Sequence, residues 1–221
     1  MEEDTIEIYK EWVKCADYQF KILVLASYLG DNSLAFNGTL DTMCEWLGIA
    51  NAPKNTKQIK NAIQELENKS YIFYKKQGQK HLISITKEGL KDKRIVKIRK
   101  SWIKTIQQYN IAKNGKVNRN WDTMLKGLTV ILAKIDIEEE EKIGNGKSII
   151  IKMRELAEEI DKCATTAGKI TTDLNKCDFE NGFKIEKITL REQVEINGKK
   201  EIRGIGTYIK ATHSWKNQTK A

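Results

Sequence analysis

Proline is almost missing from this chain of 221 residues: Pro53 is the only one, which argues against long flexible linkers. Histidine is nearly as scarce. His81 and His213 lie far apart and neither has a Ser or Cys elbow nearby, so nucleophile–base catalysis lacks its parts. The four cysteines, Cys15, Cys44, Cys163 and Cys177, form no CxxC pair and have no histidine at ligand spacing. Core or surface thiols of a cytosolic protein are therefore expected, and a zinc site is not. No run approaches the ~18 apolar residues a membrane-spanning helix needs; the longest, Ile22 to Ala26 and Leu128 to Ala133, are core-sized. The opening MEEDTIEIYKEW is acidic and lacks the basic and apolar regions of a secretory signal. The expectation is a cytoplasmic protein with no membrane partner.

Enzyme motifs are also absent. Gly144-Asn145-Gly146-Lys147-Ser148 ends like a P-loop, but Glu141 stands where the first glycine is required. The Ile-Ile-Ile after Ser148 reads as a strand and not as the phosphate-cradling helix. Arg203-Gly204-Ile205-Gly206 lacks the third glycine of a dinucleotide fingerprint and falls within a strand pattern. Glu138 to Glu141 reads as a solvated acidic loop. No catalytic residue, metal site or cofactor is expected.

What is present is positive charge, and it is crowded. Residues 1–53 carry 3 basic and 9 acidic side chains, residues 54–119 carry 18 and 4, and residues 120–221 carry 18 and 17. The whole excess of +9 thus sits in the middle third, which alone balances at +14. Free use of lysine, as in an A·T-rich genome, explains many lysines but not this crowding. A polyanion is the natural partner of such a segment.

Within that segment, residues 56–68 read as an amphipathic helix. Ile59, Ala62, Ile63 and Leu66 recur at spacings of three and four and share one buried face. Lys57, Lys60, Asn61, Gln64 and Asn68 share the opposite, solvent face. Such side chains neutralise phosphates and hydrogen-bond base edges in a major groove. Asn55 and Gln58 predict a capping-box start, with Pro53 just outside it. A hairpin follows, Tyr71 to Lys76 and Lys80 to Thr86 around Gln77-Gly78-Gln79, with Lys75, Lys76, Lys80 and His81 near its tip.

Upstream, one or two helices are expected between Thr5 and Leu29, a short strand at Ser33 to Phe36, and a helix from N-cap Thr39 through Leu47 to Gly48. Residues 49–55 form the joint to the next helix. Downstream, Arg94 to Ile98 reads as an extended piece or helix start, and a helix runs on to Tyr109. Lys91, Lys93, Arg94, Lys97, Arg99 and Lys100 make the densest basic cluster of the chain. The polar stretch 111–120 is the expected linker between domains 1–110 and 121–221. After a helix capped by Asn120, the order recurs: a β-branched run at Ile149 to Ile151, helices at Arg154 to Ile160 and Thr166 to Cys177, and β-rich runs at Phe183 to Val194 and Glu201 to Ala211. The repetition is of pattern, with no detectable sequence identity.

Helix, strand, helix, helix, hairpin resembles the winged helix-turn-helix domain, and its recurrence gives an α+β fold class with two such domains in tandem. Most of the chain is covered by this likeness, which is architectural and includes no signature motif. Tandem winged domains resemble the replication initiators of plasmids and phages. The resemblance implies a non-enzymatic, sequence-specific protein that binds double-stranded DNA at direct or inverted repeats and recruits host replication proteins. It would place Lys57, Lys60, Asn61 and Gln64 in the major groove. The wing residues Lys75, Lys76 and Lys80 would meet the backbone or minor groove, while Lys97, Arg99 and Lys100 would grip phosphates. Two alternatives stay open: a transcriptional regulator that is a homodimer through its second domain, and a winged module that binds only proteins.

Overall fold

The computed structural model describes residues 4–30, 34–114, 120–141, 148–179, 183–196 and 199–212. The chain divides into two compact units, Met1–Leu125 and Lys126–Ala221. Both mix helices with small antiparallel sheets, an α+β architecture. No helix among the described residues is long and apolar enough to cross a membrane.

The first unit opens with strand β1 (Thr5–Tyr9), a 3-10 turn (Lys10–Lys14) and helix α1 (Asp17–Leu29). Strand β2 (Ala35–Gly38), helices α2 (Leu40–Leu47) and α3 (Pro53–Asn68), and the hairpin of β3 (Ile72–Gln77) and β4 (Lys80–Ile85) follow. The three strands form one sheet in the order β2-β4-β3. Helix α1 is the core: Phe20, Leu23 and Val24 are wholly buried, and it packs against α2, α3, β2 and β4. Strand β5 (Ile95–Arg99) leads into helix α4 (Lys100–Asn114), and helix α5 begins at Trp121 and runs to Glu141. The partition between the units falls inside α5.

Trp121 and Asp122, at the start of α5, belong to the first unit's core. The Trp121 ring meets Trp46 edge-on at 5.3 Å, and Asp122 lies 3.6 Å from the ammonium of Lys21. Both charges are buried, and Lys21 also stands over the rings of Tyr18 at 5.5 Å and Trp121 at 5.9 Å. Aromatic faces offset part of the cost of taking an ammonium out of water.

Several expectations are met residue by residue. Thr39 caps α2, its hydroxyl accepting the N–H of Thr42 at 3.2 Å, and Gly48 ends it at φ 66, a left-handed conformation that glycine takes without penalty. Others are corrected. Thr5 to Tyr9 is a strand and not the start of a helix. Ile6 and Ile8 alternate with Glu7, and β5 supplies its hydrogen-bond partner with Ile6 opposite Ile98 and Ile8 opposite Val96. Of the two readings of Arg94 to Ile98, the extended one holds, shifted to Ile95–Arg99. No capping box forms at Asn55: α3 starts at Pro53, whose fixed φ and missing N–H suit the first helical position. The side-chain amide of Asn55 instead donates to the Ala50 carbonyl at 2.8 Å. The acidic run Glu138 to Glu141 is helical, the last turn of α5 and no loop, as glutamate's helix propensity favours. Strand β2 begins at Ala35, and Ser33 lies outside the described residues.

The second unit holds the remainder of α5, strand β6 (Ser148–Lys152), helices α6 (Met153–Glu159) and α7 (Ala164–Asn175), and strands β7 (Lys184–Ile196) and β8 (Lys199–Thr212). Its sheet order is β6-β8-β7, so the order of elements and the pairing of strands both repeat those of the first unit. Leu156, Ala157, Ile160, Ala167, Ile170 and Leu174 are buried, as their spacing predicts. Gly127 allows α5 to approach α7, since a Cβ there would lie 2.9 Å from a methyl of Ile170. Ser148 to Lys152 is a strand, as read from its isoleucines, while residues 142–147 of the partial P-loop lie outside the described residues.

Candidate nucleic-acid interface

Helix α3 turns one face inward, with Ile59, Ala62, Ile63 and Leu66 buried, and the other outward, with Lys57, Lys60, Asn61 and Gln64 exposed. From Lys57 to Gln64 the outward row spans ~10 Å of helix at 1.5 Å per residue, about the length of three stacked base pairs. Lys54, Lys57 and Lys60 lie in its first half, and Glu65 and Glu67 in its last turns. The positive half is also the positive end of the helix dipole, which favours an anion there.

Side chains fix the helix at both ends. The amide of Asn51 donates to Asp41, tying the joint to α2. Near the other end, buried Gln19 on α1 donates to Glu65 and accepts from the Lys69 ammonium at 2.9 Å. Gln19 thus ties the C-terminal end of α3 to α1, while the Asn51–Asp41 bond holds the chain that leads into α3 against α2.

The hairpin has a two-residue loop, Gly78-Gln79, with Gln77 opposite Lys80. Gly78 alone has positive φ, 60, as a type II′ turn requires of its first loop residue. Lys75, Lys76 and Lys80 are exposed. His81 is not part of that cationic tip. It is buried, shares a hydrogen bond of 2.8 Å between its Nδ1 and the Tyr74 hydroxyl, and stacks on the Tyr74 ring at 5.8 Å. Burial, then the charges of Lys76 and Lys60, push its pKa below the ordinary value, so His81 is neutral at pH 7. Parity along β4 carried this signal, since His81 shares a face with Ile83 and Ile85, which sit opposite Tyr74 and Ile72.

The cluster at 91–100 lies apart from the three-stranded sheet, on the β1–β5 ladder and its approach. Lys97 sits opposite Glu7 and Arg99 opposite Thr5. The ammonium of Lys100 meets Asp4 at 2.9 Å and stands over the Tyr28 ring at 5.5 Å. Arg94 forks onto Asp92, holding that carboxyl at about 2. Five lysines of the outward row of α3 and of the hairpin, Lys57, Lys60, Lys75, Lys76 and Lys80, have no ion pair among the described residues.

One residue invisible to the sequence reading is Glu11. Its carboxylate accepts the Tyr71 hydroxyl at 2.9 Å and the backbone N–H groups of Lys91 at 2.6 Å and Asp92 at 2.9 Å. It therefore ties the root of the hairpin to the chain leading into β5. Burial and then this bond raise the Tyr71 phenol well above its ordinary pKa. Among the described residues no three His, Cys, Asp or Glu side chains gather to hold a metal ion.

No protein-family model matches the chain, and no curated protein is similar enough in sequence to be matched.

Proposed function

We propose that this chain is a sequence-specific double-stranded DNA-binding protein built of two winged-helix units in tandem. In the first unit α3 is the recognition helix and the β3–β4 hairpin is the wing. Lys57, Lys60, Asn61 and Gln64 face the major groove, the lysines toward phosphates and the amides toward base edges. Lys75, Lys76 and Lys80 follow the backbone or the adjoining minor groove, whose negative potential favours them. Lys97, Arg99 and Lys100 add phosphate contacts from the β1–β5 ladder; Lys100 contributes less because Asp4 already pairs with its ammonium, and Lys97 because Glu7 stands opposite it.

The observation that carries this reading is the outward face of α3. Four exposed groups able to contact DNA occupy one helical row, beside a hairpin whose tip is cationic. The recurrence of the element order and strand pairing in the second unit supports the initiator-like reading, in which each unit occupies its own stretch of a repeated site. Selection of bound sites from random duplexes, followed by footprinting, tests both levels. Two protected major-groove segments per protomer are expected. A single segment per protomer would favour the dimeric regulator, and absence of any duplex binding at low salt would remove the DNA reading.

A further inference from the structure

The sheet β2-β4-β3 has a second face. Phe36, Ile72, His81 and Ile83 point toward the helices and are buried, so their neighbours in sequence point the other way. That outward face carries Asn37, Phe73, Lys75, Lys80, Leu82 and Ser84, all exposed or half-exposed. Phe73 is 56% exposed, the most open of the large hydrophobic residues described. None of the three strands contains an aspartate or a glutamate.

We infer that this face binds single-stranded nucleic acid, with a base stacked on the Phe73 ring and flanking phosphates on Lys75 and Lys80. Lys75 follows Phe73 on the same side of β3, ~7 Å along the strand, and Lys80 lies further along toward the turn. An open aromatic beside cations, with no acid on the sheet, is complementary to a chain of bases and phosphates. Stacking on neighbouring base pairs in a duplex withholds the face of a base from such a ring, whereas a single strand offers it. A protein partner finds little here, since Phe73 and half-buried Leu82 are the only large apolar groups, far short of the ~800 Å² per side of a standard interface. This surface shares Lys75 and Lys80 with the proposed wing, but Phe73 and the outward row of α3 lie on opposite sides, because α3 packs on the sheet's other face.

The test uses the full chain and fluorescein-labelled oligothymidylate of about 20 nucleotides, followed by anisotropy at about 50 mM salt. Phe73→Ala should weaken binding by about tenfold or more, and Phe73→Tyr should restore it. Lys75→Gln and Lys80→Gln should each lower the slope of log affinity on log salt by ~0.7. Asn61→Ala should leave the oligonucleotide affinity unchanged, so failure of duplex recognition and failure of this site read out separately. Because Phe73 is exposed, its removal should not move the thermal midpoint. Any of three binding results overturns the inference. The wild-type chain does not bind the oligonucleotide, Phe73→Ala binds as well as wild type, or Phe73→Ala loses duplex and single-strand binding together. Self-association by light scattering that disappears with Phe73→Ala would also overturn it, by giving the face to a second copy.

Discussion

Counterion release makes the proposed duplex interface countable. Five lysines of the outward row of α3 and of the hairpin, Lys57, Lys60, Lys75, Lys76 and Lys80, have no ion pair among the described residues, and each phosphate neutralised adds ~0.9 to the fall of log affinity with log salt. Five contacts predict a slope of about −4.5, so affinity should drop ~500-fold between 50 and 200 mM salt. Replacing Lys60 by Gln should bring the slope to about −3.6 and the drop to ~150-fold, and replacing Lys75, Lys76 and Lys80 together should bring it to about −1.8. Lys97→Gln should change it less, because Glu7 stands opposite. Fluorescence anisotropy on one selected duplex, repeated across the salt series, measures each slope. A flat wild-type response would refute the phosphate assignment. Equal losses from Lys60→Gln and Lys97→Gln would refute the argument that register with β1 discounts the second cluster.

Asn61→Ala and Gln64→Ala should cost ~1–3 kcal/mol against the preferred base while leaving the salt slope alone, as binding to selected and scrambled duplexes would reveal. Asp122→Ala should destabilise the chain by ~3–5 kcal/mol in urea denaturation, since it leaves buried Lys21 without its counter-charge, whereas replacing both residues by Met and Leu should be neutral or stabilising; equal effects would refute a desolvated pair. His81 has a lowered pKa in the folded protein, so the unfolded chain binds its proton more tightly. The stability that neutral His81 contributes is then complete above the unfolded value of ~6.5 and is lost as pH falls from there toward the lowered folded one. The thermal midpoint should fall over that window, and His81→Gln should flatten its slope. Glu11→Gln should lower the Tyr71 pKa, though not to its ordinary value because burial remains the larger cause, as ultraviolet titration of the phenolate would detect.

Elements with a long period were legible in the sequence because they are local. The inward rows of α3 and α7 and the cap pair of α2 follow from spacing within a single helix, which no distant residue alters. Strand β1 was not legible, because five residues with two isoleucines fit either period. Only pairing with a strand some 90 residues later decides between them. Glu11 escaped for the same reason: the groups it holds lie 60, 80 and 81 positions away in the chain. The start of α3 was misread because two local signals competed, and Pro53 at the first helical position prevailed over the Asn55–Gln58 box.

Charge follows the same division, and this alters where the interface is drawn. Counted along the chain, the lysines and arginines of 91–100 outweigh those of α3. In three dimensions the acidic N-terminal strand runs back along them, placing Glu7 opposite Lys97 and Asp4 beside Lys100. The surplus of the middle third is thus partly spent within the fold, against the deficit of the first 53 residues. The outward row of α3 and the free end of the hairpin lie outside that β1–β5 ladder and have no acidic strand running beside them. A helix presents its outer face without a ladder partner, and β3 is an edge strand. The topology therefore keeps the positive charge of α3 and the hairpin away from the acidic N-terminal strand, which composition alone does not reveal.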